Sequence, residues 1–144
     1  MALKQTDDLI EQLKLQDASY EDYLANNEDS FIVNDITIFW QKCIKKSKMA
    51  KIDIINGADI GYTYFYNIIG DKSIPARDTI IKIFLSMAIG LEDCQCALGL
   101  YNWAALHPKN KRDSILIYAL THHLSLYETE ELLLSQSEKG FKMV

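Results

Sequence analysis

Four polar side chains on one short segment could bind the edges of bases or a protein partner. Residues 62–69 read YTYFYNII, and their apolar members recur at i, i+1, i+4 and i+5, which is typical of a helix with one buried side. The inward set is Tyr64, Phe65, Ile68 and Ile69, and the outward set is Tyr62, Thr63, Tyr66 and Asn67. Hydroxyl and carboxamide groups both donate and accept hydrogen bonds, so the outward set is a candidate recognition surface.

A run of lysines precedes this segment and could attract phosphate. Five lysines and no acidic residue lie between positions 42 and 51, namely Lys42, Lys45, Lys46, Lys48 and Lys51. The net charge of the chain is −5, distributed as −6 over residues 1–30, +3 over residues 31–82 and −2 over residues 83–144. Only the middle segment therefore suits a nucleic-acid partner. The alternative is that these lysines form an ordinary solvated helix face.

The cysteines and histidines do not match a reactive site. Cys94 and Cys96 would point to different faces of one helix, and their spacing to His107, His122 and His123 fits no zinc pattern. A Cys–His nucleophile pair could be drawn from the same residues, but nothing in the sequence orients a base or an oxyanion site. We expect buried cysteines and exposed histidines, with no metal, no cofactor, no catalytic residue and no enzymatic activity. Three cysteines also form no disulfide framework.

The elements that must position these residues are all predicted to be helices. Apolar spacing indicates helices over residues 6–15, 19–26, from 35 onward, 51–58, 62–69, 77–88, 91–100, 112–123 and 126–135. No stretch approaches the roughly 18 apolar residues of a membrane span. The first residues, MALKQTDDLI, lack the pattern of a signal peptide, so we expect a cytoplasmic protein without a membrane partner.

Residues 51–69 predict a helix-turn-helix. This motif needs a short helix, a corner of three or four residues and a second helix with an exposed outer face. Ile54 and Ile55 are expected to face inward from the first helix, and Ile60 is expected to fill the corner. The corner itself would lie at residues 59–61.

An internal repeat follows the helix-turn-helix. Residues 77–98 align with residues 112–133 at an offset of 35, with six of 22 positions identical, and each copy begins with Arg-Asp. The repeat predicts two successive helical hairpins of one design. Arg77 and Arg112 could bind an anion, but we favour a structural role in which each stem covers its hairpin and each guanidinium pairs locally with a carboxylate.

These motifs resemble the Cro/repressor-like (XRE-type) transcriptional regulators. In the most similar bacterial group the second helix reads Tyr-Val-Tyr-Gln-Ile and is followed by a glycine loop and Pro-Ser-Arg-Asp. This chain has YFYNI at 64–68 and PARD at 75–78 with the same spacing, then RDSIL at 112–116 and ELL at 131–133. The resemblance covers roughly residues 34–135. It implies a five-helix repressor-like core extended by an N-terminal helical arm and a C-terminal helical hairpin.

The resemblance also implies residue roles. In that family the second helix lies in the major groove of DNA and the first crosses the backbone. The implied DNA-binding residues are Lys51, Tyr62, Thr63, Tyr66, Asn67 and Lys72. Asn67 is the best candidate for base reading because a carboxamide can pair bidentately with adenine.

The chain departs from the family pattern at the turns and caps. Asp59 and Asp71 stand where the family has glycines, and Asp tolerates the left-handed backbone better than most residues. Ala50 and Ala76 occupy positions where a serine cap is expected. The outward face of residues 62–69 carries no arginine or lysine, so the commonest guanine contact is missing.

The expected function is that of a homodimeric transcriptional regulator that binds double-stranded DNA in a sequence-specific manner. The alternative is a protein-interaction module that uses the same tyrosine-rich face, such as a phage-borne inhibitor, or an autoinhibited regulator in which acidic residues 1–30 cover the lysines.

The expected organisation is an acidic N-terminal helical arm (1–30), a helix-turn-helix domain (31–105) and a C-terminal helical hairpin (106–144) on the same core. The dimer surface is left open between the hairpin at 112–135 and the N-terminal helices.

Overall fold

The chain is helical throughout the part that the structure describes. A computed structural model describes residues 6–15, 19–27 and 35–141, and within these ranges it contains no strand. The helices are α1 (Thr6–Lys14), α2 (Tyr20–Asn26), α3 (Ile36–Ser47), α4 (Lys51–Ala58), α5 (Tyr62–Ile69), α6 (Arg77–Met87), α7 (Leu91–Leu100), α8 (Lys111–Thr121) and α9 (Leu126–Ser135). The all-α prediction is therefore confirmed. Among the described residues, no helix combines the length and apolar character that crossing a membrane requires.

The chain divides into two compact units, Met1–Asn34 and Asp35–Val144. In the first unit the backbone N–H of Asp22 donates to the Ser19 Oγ at 3.1 Å and caps α2. The side-chain amide of Asn27 donates to the Gln12 Oε1 at 2.7 Å and joins the end of α2 to α1. The predicted boundary between residues 30 and 31 lies outside the described residues.

The core of the second unit is centred on α6. Six residues of this helix are buried, namely Ile80, Ile81, Ile83, Phe84, Leu85 and Met87. A helix that is apolar on most of its circumference must be surrounded by other elements. Trp40 of α3 is fully buried with its ring centroid 5.6 Å from that of Phe84, and its indole N–H donates to the Tyr101 hydroxyl at 2.8 Å.

The two predicted hairpins are present and follow one design. Helices α6 and α7 form the first hairpin, and α8 and α9 form the second. A left-handed residue follows each leading helix: Ala88, directly after α6, has φ 54°, and His123, two residues after the end of α8, has φ 55°. Because of this left-handed residue, α8 ends at Thr121 rather than continuing to His123 as predicted.

The repeat extends into the loops beyond the aligned segment. In the first hairpin the Gln95 side chain accepts from the backbone N–H of Leu106 at 2.8 Å. In the second, Glu130 accepts from the N–H of Phe141 at 3.2 Å, and both residues lie 35 positions further along the chain. A contact of the same kind therefore closes each hairpin.

Two crossed ion pairs join the hairpins at the starts of α6 and α8. Arg77 donates to both carboxylate oxygens of Asp113 at 3.1 Å, and Arg112 donates to those of Asp78 at 3.0 and 3.1 Å. The prediction of a structural role for the two arginines is confirmed. The prediction of local pairing is wrong, because each arginine reaches the carboxylate of the other hairpin. The repeated Arg-Asp starts lie side by side in the fold, which sequence spacing alone does not reveal.

Candidate nucleic-acid interface

Helix α4 and the corner after it have the predicted backbone. The helix begins after Ala50, which is extended and forms no side-chain cap, and ends at Asp59, which is left-handed with φ 52° and ψ 50°. The N–H groups of Asp59 and Ile60 donate to the carbonyls of Asn56 and Ile55 at 3.2 and 3.4 Å. Asp59 thus adopts the left-handed conformation that glycine takes most readily.

Close packing against α6 fixes the position of α4. The Ser86 hydroxyl of α6 donates to the Ile54 carbonyl at 2.8 Å. A Cβ atom on Gly57 would lie only 2.3 Å from the Ser86 Oγ and 3.2 Å from its Cβ. Glycine is therefore the residue that permits this approach between the two helices.

The inward and outward sides of α5 follow the predicted division only in part. Phe65 and Ile68 are fully buried, as expected. Tyr62 is 58% exposed and Thr63 is also exposed. Tyr66 and Asn67 were expected on the open side with them, but both are half-buried. The outward face is therefore open at the start of α5 and partly enclosed near its end.

Three of the predicted residues are in contact along this face. The rings of Tyr62 and Tyr66 lie 4.6 Å apart between centroids at an interplanar angle of 42°. The Lys51 Nζ lies 5.5 Å from the centroid of the Tyr66 ring, within cation–π range. A hydrogen bond with Tyr66 raises the pKa of Tyr62, so the Tyr62 phenol stays protonated. We refer to Lys51, Tyr66 and Tyr62 as the tyrosine–lysine row.

Asn67 and Lys72 are linked through the backbone. The Asn67 carbonyl accepts from the N–H groups of Lys72 and Ser73 at 2.8 and 3.2 Å, which folds the loop back onto the end of α5. Asp71 is left-handed in this loop, with φ 60°. Within the described part of the chain, no residue forms a hydrogen bond with the side-chain amide of Asn67. Lys72 is exposed beside it.

The lysine run does not act as one patch. Lys46 donates to the Asp93 carboxylate at 2.7 Å, and this bond raises the pKa of Lys46. Lys45 instead lines a small pocket of about 240 Å³ together with Gln41, Ile44, Lys51 and Ile69. Gln41 and Lys45 therefore belong beside the site, although neither was predicted there. Their i, i+4 spacing was the signal that could have placed them on one helix face.

The charge around the site is mixed. Asp53, Asp59 and Asp71 are all exposed near the two lysines Lys51 and Lys72. Asp59 and Asp71 were predicted to lie in the turns, and both are exposed there. The site therefore combines phenols, a carboxamide and a few lysines, and it lacks the dense positive charge of a nonspecific phosphate-binding surface.

The three histidines and two of the three cysteines are placed as predicted, whereas Cys96 was expected to be buried and is exposed. Cys43 and Cys94 are buried, and burial raises the pKa of each thiol to about 12, so both stay protonated. Cys96 and the three histidines are exposed. Among the residues that the structure describes, no group of three or more His, Cys, Asp or Glu side chains is arranged to hold a metal ion.

The site offers hydrogen-bond donors and acceptors, aromatic surface and two flanking ammonium groups. Such a set can bind a polar, partly anionic surface through contacts with its edges.

Comparisons of this chain with protein-family models, with curated proteins and with solved structures found no match.

Proposed function

We propose that α4 and α5 form a repressor-like helix-turn-helix and that the chain is a DNA-binding transcriptional regulator without enzymatic activity. In this proposal α5 enters the major groove, and the chain acts as a homodimer because one such module contacts a single half-site. The observation that carries the proposal is the tyrosine–lysine row, whose middle residue Tyr66 directly precedes Asn67 in α5. The sequence resemblance to the XRE-type regulators adds independent support.

Each side chain has a defined role in this proposal. Asn67 reads adenine, and the phenols of Tyr62 and Tyr66 together with Thr63 contact neighbouring base edges or phosphate oxygens. Lys51 and Lys72 contact the phosphate backbone on either side of α5. Asp59 and Asp71 lower the affinity by placing negative charge near phosphates, so specificity depends on base contacts more than on net attraction.

The first test is direct binding. A library of random duplexes is selected against the full chain, and affinity for selected and random fragments is measured by fluorescence anisotropy at about 50 and 200 mM salt. We expect selected fragments to bind more tightly than random ones and affinity to fall with salt. Absence of binding at the lower salt concentration would contradict the proposal.

Two variants separate base reading from phosphate contact. Asn67→Ala should cost about 1–3 kcal/mol on the selected site and relax the preference at one base pair. Lys51→Gln should weaken binding to all fragments alike and reduce the salt slope by about 1. Lys109→Gln removes an exposed lysine of another loop and serves as the matched control, with no effect on the preference expected.

The second candidate function is a protein-interaction module on the same face. It is favoured by the lack of basic residues on α5 and by the exposed tyrosine at position 62, since tyrosine is enriched at protein interfaces. The phage-borne inhibitor and the autoinhibited regulator both belong to this class. Under this alternative the chain binds no DNA fragment at low salt, and Tyr62→Ala rather than Lys51→Gln abolishes binding to the protein partner.

A further inference from the structure

We propose that the groove between α8 and α9 is a self-association surface, at which a second copy of this chain docks across a two-fold axis near Tyr118. The biological use of this surface rests on the proposed function, because a homodimer is needed to contact two half-sites. The geometry itself does not depend on DNA. We call this surface the second-hairpin groove.

The internal repeat shows that the second-hairpin groove is left uncovered. In the first hairpin Ile83 is fully buried, and the Ser86 hydroxyl donates to the Ile54 carbonyl of α4, so this side of α6 lies under α4. The equivalent residues of α8, 35 positions later, are Tyr118, which is 51% exposed, and Thr121, which is also exposed. Among the described helices of the second unit, none packs on α8 as closely as α4 packs on α6.

The groove is shallow and open to solvent. Two adjoining depressions of about 400 and 430 Å³ share Tyr118 and Leu132 at their junction. The first is lined by Lys111, and the second by Glu128 and Glu131. The Tyr118 ring stacks on His122 with 4.1 Å between centroids, which holds an aromatic surface in the middle of the groove.

The two ends of the groove carry opposite charge. Lys111 lies at one end, where its Nζ donates to the Gln136 carbonyl at 2.9 Å. Glu128 and Glu131 lie at the other end. A two-fold axis through Tyr118 places Lys111 of each copy beside the glutamates of the other, with the aromatic surfaces in contact between them. A surface that is complementary to itself in this way is the signature of an isologous dimer, and a different partner would need no such symmetry.

Charge reversal tests the predicted symmetry. The mass of the full chain is measured by sedimentation equilibrium without DNA over a range of concentrations. Lys111→Glu and Glu131→Lys should each raise the dimer dissociation constant about tenfold, since each reversal turns two symmetry-related attractions into repulsions. The double variant should return to within about threefold of the original value, because it restores both attractions. Lys109→Glu makes the same charge change off the groove and should leave the constant unchanged.

Tyr118→Asp provides a second variant at the centre of the groove. It should abolish the dimer, because the axis brings two buried carboxylates together. Circular dichroism of every variant checks that the fold is retained, which is expected because all the altered side chains are exposed in one copy. A chain that stays monomeric at all concentrations would overturn the inference. A dimer that persists in Tyr118→Asp and in both reversals would also overturn it, because the interface would then lie elsewhere.

Failure of this inference is distinguishable from failure of the DNA-binding proposal. A dimer that responds to these variants but binds no DNA would leave the inference standing and remove the proposed function. A chain that binds selected DNA, but whose dimer dissociation constant is unchanged by Lys111→Glu and Tyr118→Asp, would refute the inference and leave the proposed function in place.

Discussion

At the scale of single residues, two aspartates adopt the left-handed backbone conformation at the turns of the candidate site. Asp59 and Asp71 have φ of 52° and 60°, a region that costs a residue with a Cβ atom about 1–2 kcal/mol and costs glycine nothing comparable. The side chain of Asp lowers this cost by local hydrogen bonding, so the turns keep their geometry. The chain therefore retains the turn conformation but adds a negative charge at each turn.

Replacing Asp59 with glycine should stabilise the fold and strengthen DNA binding. Asp59→Gly removes the left-handed penalty, so we expect the free energy of unfolding to rise by about 0.5–1 kcal/mol in urea titrations. Under the proposed function, loss of the carboxylate should also raise affinity for DNA at low salt. Asp53→Gly is the matched control, since it places glycine inside α4 and should destabilise by about 1 kcal/mol. Equal losses in both variants would contradict the backbone argument.

At the scale of elements, the position of α5 depends on the contact between α4 and α6. Gly57 faces Ser86, whose hydroxyl is bonded to the Ile54 carbonyl. Any side chain at position 57 must displace that hydroxyl, and the Ser86 Cβ or α4 must then shift by a few tenths of an ångström. Since α5 follows α4 after only three residues, a shift of α4 would also move the tyrosine–lysine row.

Gly57→Ala should destabilise the chain despite the higher helix propensity of alanine. We expect a loss of about 1–3 kcal/mol in the free energy of unfolding, because the new methyl group overlaps the Ser86 Oγ. Adding Ser86→Ala should recover part of the loss by removing that oxygen. Gly99→Ala is the control: a Cβ there meets nothing within 4 Å, so thermal unfolding should show no loss or a gain of up to about 1 kcal/mol. Similar losses at both glycines would refute the packing argument.

At the scale of the whole molecule, the crossed pairs make the two hairpins depend on each other. The Arg77 side chain also donates to the carbonyls of Ala104 and Ala105, at 3.0 and 3.3 Å. Its guanidinium thus binds one carboxylate and two carbonyls, which the single ammonium of lysine cannot match in geometry. Arg112 repeats this arrangement with the carbonyls of Lys139 and Gly140.

Arg77→Lys should therefore destabilise the second unit as a whole. We expect a loss of about 1–3 kcal/mol, because Asp113 is largely buried and keeps its charge with a poorer partner. Urea unfolding followed by circular dichroism and by tryptophan fluorescence should still give coincident transitions. Lys46→Gln breaks the more exposed pair with Asp93 and should cost less. Separate transitions for the two signals in the original chain would show that the hairpins unfold independently.

The helices of this molecule could be predicted from the sequence, whereas the contacts between side chains of different helices could not. Apolar periodicity predicted α4 at about residues 51–58 and α5 at 62–69, where both are observed, because the face on which each side chain lies follows from local geometry. The pairing of Arg77 with Asp113 depends on two hairpins meeting side by side, which no local pattern encodes. In the same way, only the packing of α3 shows that Lys46 turns to Asp93 while Lys45 stays beside Lys51.

The crossed pairs also limit how many hairpins this design can hold. Each arginine binds the aspartate of the other copy, so within two copies each guanidinium of the Arg-Asp starts is paired with one carboxylate. A third hairpin of the same sequence would meet two carboxylates that are already occupied and would bury its own charges without a partner. With respect to these four charges, the two hairpins therefore form a closed pair.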